Sequence, residues 1–235
     1  MDSPRAEIKE LADDVGEHVD AFVEAVKPHL RGWLHLVTAP LALVGGLVLT
    51  STAPTQGGRV AAMVFTITAG LLFGTSAVYH RGRWGGRLAG ALRRWDHANI
   101  FLIIAGSYTP FALMLPRTQA ITLLAIVWSG AIIGVLFRVL WVGAPRWLYV
   151  PLYVALGWAA VAYLGDLWAA NPAATILVAI GGLAYTVGAV VYGMKKPNPF
   201  PGHFGFHEIF HVCTVIAFLC HWTAVLLIAV EPLRG

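Results

Sequence analysis

Residues 206–230 read FHEIFHVCTVIAFLCHWTAVLLIAV. Such a run is long enough to cross a bilayer, which takes roughly 20 mainly apolar residues, about 17–25 in practice. It also opens on His207-Glu208-Ile209-Phe210-His211, the H-E-x-x-H pattern in which two imidazoles on one helix face hold zinc in metalloproteases. The first reading places this helix in a membrane, and the second gives it chemistry at one membrane surface.

The rest of the chain agrees with a membrane. Of its 235 residues, 58% are hydrophobic and 12% are charged, where a soluble domain carries about 25% charged residues. A compact chain of this size could not hide so many apolar side chains from water. Seven apolar runs follow one another, at about 33–51, 59–80, 96–115, 119–138, 148–169, 174–194 and 206–230. Short connections make consecutive helices antiparallel neighbours, so the fold class is an all-α bundle of seven transmembrane helices spanning 33–230. Pro40, Pro110 and Pro151 fall inside spans and are expected to bend them, because the ring removes a backbone donor.

The N-terminal segment, 1–32, is polar and acidic and shows no signal peptide. Within it, Ile8, Leu11, Val15, Val19, Phe22 and Val26 recur at helical spacing, which predicts an amphipathic helix over 6–27 packed on the end of the bundle. Its acidic outer face disfavours attachment to anionic lipid. Cys213 and Cys220 share the last apolar run, which excludes a disulfide framework and predicts buried free thiols.

The formal net charge of +4 does not point to nucleic acid, because the basic residues lie between the apolar runs. Alternation of the spans puts thirteen Lys and Arg on the side of residue 1 and three, Arg59, Arg117 and Arg234, on the other. The positive-inside rule then predicts a cytoplasmic N-terminus and an outside C-terminus, with 231–235 as a short outer tail.

That topology sorts the histidines. His18, His29 and His35 are expected at the surface or interface. His80 ends the second span, Asp96 and His97 open the third, and His207 and His211 open the seventh, all at the cytoplasmic level. His207 and His211 are four residues apart and share a helix face, as do Ser76 and His80. Ionisable groups in apolar helices face the bundle interior and mark function. Three imidazoles, His80, His207 and His211, with an open fourth position match a catalytic zinc arrangement. A hydrogen-bonded His–Asp–Ser network joining three helices is the structural alternative.

The protease reading lacks its frame. A longer signature would place Gly at 214 and His at 217, where the chain has Thr214 and Ala217. Glu231 lies about 30 Å along a continuous helix from His211, and Asp166 falls at the outer side. Glu208 is therefore read as a supporting carboxylate rather than the essential base. His203, preceded by Pro201 and Gly202, is expected at the helix start and not bound to metal.

The stretches SAVYH (76–80), WDHANIFLIIAGSYTPF (95–111) and HEIFH (207–211) resemble the hemolysin III proteins, bacterial members of the progestin and adipoQ receptor family that includes the adiponectin receptors. The resemblance runs from about residue 30 to 230. It implies seven helices with the N-terminus inside, in a bacterial inner membrane. It implies zinc on the histidines matching His80, His207 and His211, with the aspartate matching Asp96 holding water at the metal. The serine matching Ser76 would sit beside it, as in the wider group that includes alkaline ceramidases. Three functions stay open. One is a zinc-dependent, ceramidase-like hydrolase of a lipid amide or ester, with Asp96 as general base and Ser76 as hydrogen-bond donor. The second is a receptor or regulator of membrane lipid composition with a structural zinc, and the third a transporter or pore. The partners expected are membrane lipids and a lipid-like substrate or ligand.

Overall fold

The computed structural model describes residue 28 and residues 30–141 and 143–230. The helix expected over 6–27 and the tail 231–235 lie outside the described residues. Among the described residues eight α-helices make seven spans: α1 (Trp33–Thr52), α2 (Gln56–Arg81), α3 (Gly86–Phe111), α4 (Arg117–Leu140), α5 (Arg146–Gly157), α6 (Leu164–Ala170), α7 (Pro172–Met194) and α8 (Phe206–Val230). The fifth span, Arg146–Ala170, comprises α5, a 3-10 segment over Ala159–Tyr163, and α6. All seven are long and apolar enough to cross a membrane. Large apolar side chains such as Leu41, Leu47 and Ile133 stand 64%, 70% and 66% exposed on the outer face. An apolar surface of that extent belongs against hydrocarbon.

Helix α1 packs on α2 and α8, α2 on α3, α3 on α4, and α7 on α5 and α8, so the ring closes between the first and last spans. Small residues set the close contacts, as expected where packing rather than water drives helix association. A Cβ on Gly106 of α3 would run into Thr68 of α2, and one on Gly134 of α4 into Phe101 of α3. The aromatic interior, with Phe65, Phe73 and Phe218 in contact, fills the ring.

Four features differ from the sequence reading. Helix α3 starts at Gly86, ten residues before the expected span, because a helix can run on past the hydrocarbon with Arg87, Arg93 and Arg94 in its polar end. Arg138, counted among loop charges, lies in α4 and is 1% exposed. The break in the fifth span follows Gly157 rather than Pro151, which sits within α5. There the Tyr108 hydroxyl donates to the Gly157 carbonyl at 2.5 Å and accepts from the Ala160 N–H at 3.1 Å, so backbone groups freed at the break find a partner inside the protein. Cys213 and Cys220 are free but only half-buried.

Candidate metal centre

Three elements converge at the end of the bundle that carries most of the arginines. The last two turns of α2 carry Ser76 and His80, α3 carries Asp96, and the first turns of α8 carry His207 and His211. Helix α8 starts firmly because Glu208 reaches back to its cap: its Oε2 accepts from the Gly205 N–H at 2.8 Å, and its Oε1 accepts from Arg31 Nε at 2.9 Å. Both carboxylate oxygens are thus engaged in holding the start of α8 to the chain just before α1. Gly32, at φ 80°, lets that chain pass over the site, since a Cβ there would come within 2.8 Å of the His80 Cβ.

His80 is the meeting point. Its Nε2 lies 3.1 Å from His207 Nε2 and 3.5 Å from Asp96 Oδ2. One ring nitrogen from each of His80, His207 and His211 lies within 4.8 Å of the others. His80, His211, Asp96 and Ser76 are buried and His207 is half-buried. Two neutral imidazoles can meet nitrogen to nitrogen only if one donates, unless a cation takes both lone pairs. Around a tetrahedral zinc with bonds of about 2.0–2.1 Å, ligand nitrogens stand about 3.3–3.4 Å apart. The His80–His207 approach is close to that spacing, and with His211 within 4.8 Å the three histidines could hold a metal ion.

His35, expected at the surface, is 2% exposed and stacks on His211 with ring centroids 3.8 Å apart. It sits beside the triad because α1 closes on α8. A signal for it exists in the sequence: His35, Thr38, Ala42, Gly46 and Leu49, spaced by three or four residues, form the buried stripe of α1. His203 lies exposed in the segment before α8, outside the triad.

Asp96 and His97 part company. His97 joins a second cluster, with its Nδ1 at 2.7 Å from Arg138 Nη2 and its Nε2 at 3.4 Å from the Tyr192 hydroxyl. The Tyr153 hydroxyl donates to the His97 carbonyl at 3.0 Å, and the Arg138 guanidinium lies 4.2 Å from the Tyr149 ring centre. Between the two clusters opens a cavity that runs from His35, Ser76, Asp96 and His207 to His221, with mainly apolar side chains such as Ile100, Ile104 and Val178 along it.

Comparison with known proteins places this arrangement. The family model of haemolysin-III related proteins matches residues 23–222. The chain is 30% identical over 203 residues to Hemolysin-3 of Bacillus cereus, covering 83% of this chain and 89% of that protein. It is 38% identical over 118 residues to the Hemolysin-3 homolog of Bacillus subtilis (strain 168), a match that spans about half of each protein, 49% and 53%. A shorter stretch of 49 residues is 47% identical to the ADIPOR-like receptor IZH2 of Saccharomyces cerevisiae, covering 19% of this chain and 16% of that protein. The chain therefore belongs to the haemolysin-III related family and is an integral protein of a bacterial membrane.

Proposed function

We propose that the protein is a zinc-dependent membrane hydrolase of a lipid amide or ester. The observation that carries this reading is the Asp96 carboxylate, 3.5 Å from the imidazole at which the triad meets, at the head of an apolar cavity. His80, His207 and His211 would hold the ion, which when bound supplies Lewis acidity toward a carbonyl and toward water. Asp96 orients the attacking water and takes up its proton at a carboxylate oxygen. Ser76, one turn before His80 and on the cavity wall, donates a hydrogen bond to the substrate carbonyl as charge develops on it. The apolar wall takes the acyl chain and excludes bulk water. Glu208, with both oxygens engaged by Arg31 and Gly205, has a holding role at the start of α8.

The experiment is hydrolysis of an N-acyl sphingoid amide by purified protein in nanodiscs, with zinc content measured beside each rate. Asp96→Asn should keep zinc and lose about 10²–10⁴-fold in turnover, Glu208→Gln should stay within a few-fold of wild type, and a chelator should abolish the rate. A dead Glu208→Gln with zinc bound beside a working Asp96→Asn would overturn the assignment in favour of a protease-type base. Zinc bound with no turnover on any lipid amide or ester would favour the receptor reading, for which the similarity to a yeast ADIPOR-like receptor speaks.

The Arg-rich end, and the site with it, faces the cytoplasm in this reading, as the distribution of Lys and Arg implies. An impermeant thiol reagent added outside intact cells should label a cysteine placed at position 233 and spare one at position 3. The reverse pattern would turn the site outward.

A further inference from the structure

His221 lies on α8 ten residues beyond His211, about 15 Å further along a helix that rises about 1.5 Å per residue. It borders the same cavity as His207 and His211. The residue is 7% exposed and its ring is boxed by Phe111 and Tyr185, with ring centroids at 5.3 and 5.7 Å. Gly181 of α7 makes the room, since a Cβ there would approach His221 Nε2 to 2.6 Å. An imidazole has been accommodated at this depth where a phenyl ring would serve packing alone.

The polarity of the ring follows from its neighbour. Nε2 lies 3.4 Å from the Val178 carbonyl oxygen. A carbonyl offers lone pairs only, so the proton sits on Nε2 and Nδ1 is left as an acceptor. Nδ1 is buried and has no partner among the described residues. Three hydroxyls along this part of the cavity are engaged elsewhere: Ser107 donates to the Ile104 carbonyl, Tyr108 to that of Gly157 and Thr186 to that of Gly182. A buried acceptor in an apolar surrounding is costly until a donor reaches it.

We propose that the deep end of the cavity recognises a hydroxyl carried partway along an acyl chain, with His221 Nδ1 accepting its hydrogen bond. The ligand class is a hydroxylated acyl lipid whose O–H lies roughly 15 Å from the group held at the triad, the rise of ten helical residues. The inference rests on the reading of this cavity as the seat of an acyl chain, and it adds a second recognition point to the metal end.

The test is equilibrium binding of ricinoleic and oleic acid, which differ only by a mid-chain hydroxyl, to the detergent-purified, zinc-replete full chain. Ricinoleic acid should bind roughly three- to tenfold more tightly, the worth of one neutral hydrogen bond. An acid hydroxylated beside its carboxyl should gain nothing over its parent. His221→Phe should bring the ratio of ricinoleic to oleic affinity to about one. If that variant does not fold, Gly181→Ala, which crowds the ring, should do the same. Equal affinities in the wild type, a preference that survives His221→Phe, or no binding of either acid would each overturn the proposal. The binding ratio is read without turnover, so a failure to hydrolyse lipid leaves it standing, and a ratio of one leaves hydrolysis untouched.

Discussion

Two polar clusters stand side by side at the Arg-rich end of the bundle, and adjacent residues of α3 feed them. Asp96 turns toward α2 and α8, and His97, about 100° around the helix, turns toward α4 and α7. In the first cluster the groups that meet are imidazole nitrogens and a carboxylate, with His80 Nε2 at 3.1 Å from one and 3.5 Å from the other. Such a set accepts more than it donates and could hold a cation from outside. In the second cluster the cation is built into the chain. Arg138 is 1% exposed, lies over Tyr149 and donates to His97. Among the described residues no carboxylate is part of it, and the aromatic faces and the imidazole stand where an anion would. The difference teaches how a helical bundle balances buried polar groups: one cluster offers acceptors to an ion, the other supplies the cation from its own side chain.

The largest effect should come from the first cluster. His211→Ala removes one of three donors, and metal analysis of the purified variant should fall from about one ion per chain toward none. Full occupancy in that variant would break the comparison, because the triad would not be what holds the ion. The smaller effect should come from the second cluster. Replacing a buried charge by an apolar side chain of similar size is often neutral or stabilising by about 1–4 kcal/mol. Arg138→Met also takes away the donor to His97 Nδ1, at a cost of about 1–3 kcal/mol for an acceptor left bare. These opposed contributions should leave the thermal midpoint within a few degrees of wild type and the metal content unchanged. Loss of metal from Arg138→Met would show the two clusters to be one.

The seven spans and the residues that meet at the candidate metal centre are legible to the extent that hydropathy reports burial in lipid and alternation reports level. His80, Asp96, His207 and His211 each sit at the end of an apolar run, and parity of the runs puts those ends together. Hydropathy is silent where a helix continues in polar sequence, so Gly86–Arg94 reads as a connection although it is the start of α3. For His35 the stripe of α1 signals burial but not a partner, because its neighbour His211 lies 176 positions away and meets it only when α1 packs on α8. By sequence Arg138 is one of the thirteen Lys and Arg on the side of residue 1. Only the packing of α4 against α3 reveals that its guanidinium points inward, to His97. The histidine of the deep cavity, His221, could be placed in depth but not given a role, since neither Gly181 nor the Val178 carbonyl beside it is a sequence motif.

The contact between Arg31 and Glu208 bridges 177 positions of sequence, and that between His80 and His207 bridges 127. Both therefore wait for the last helix to be made. At synthesis rates of about 5–20 residues per second, His80 is complete roughly 6–25 s before His207 exists. Late in that interval His35, Ser76, His80 and Asp96 have all been made, and their closing neighbour has not. The order of manufacture thus makes α8 the keystone of assembly: the ring, the cavity and the triad come into being together, with the final span, and a chain truncated before residue 206 would have none of the three.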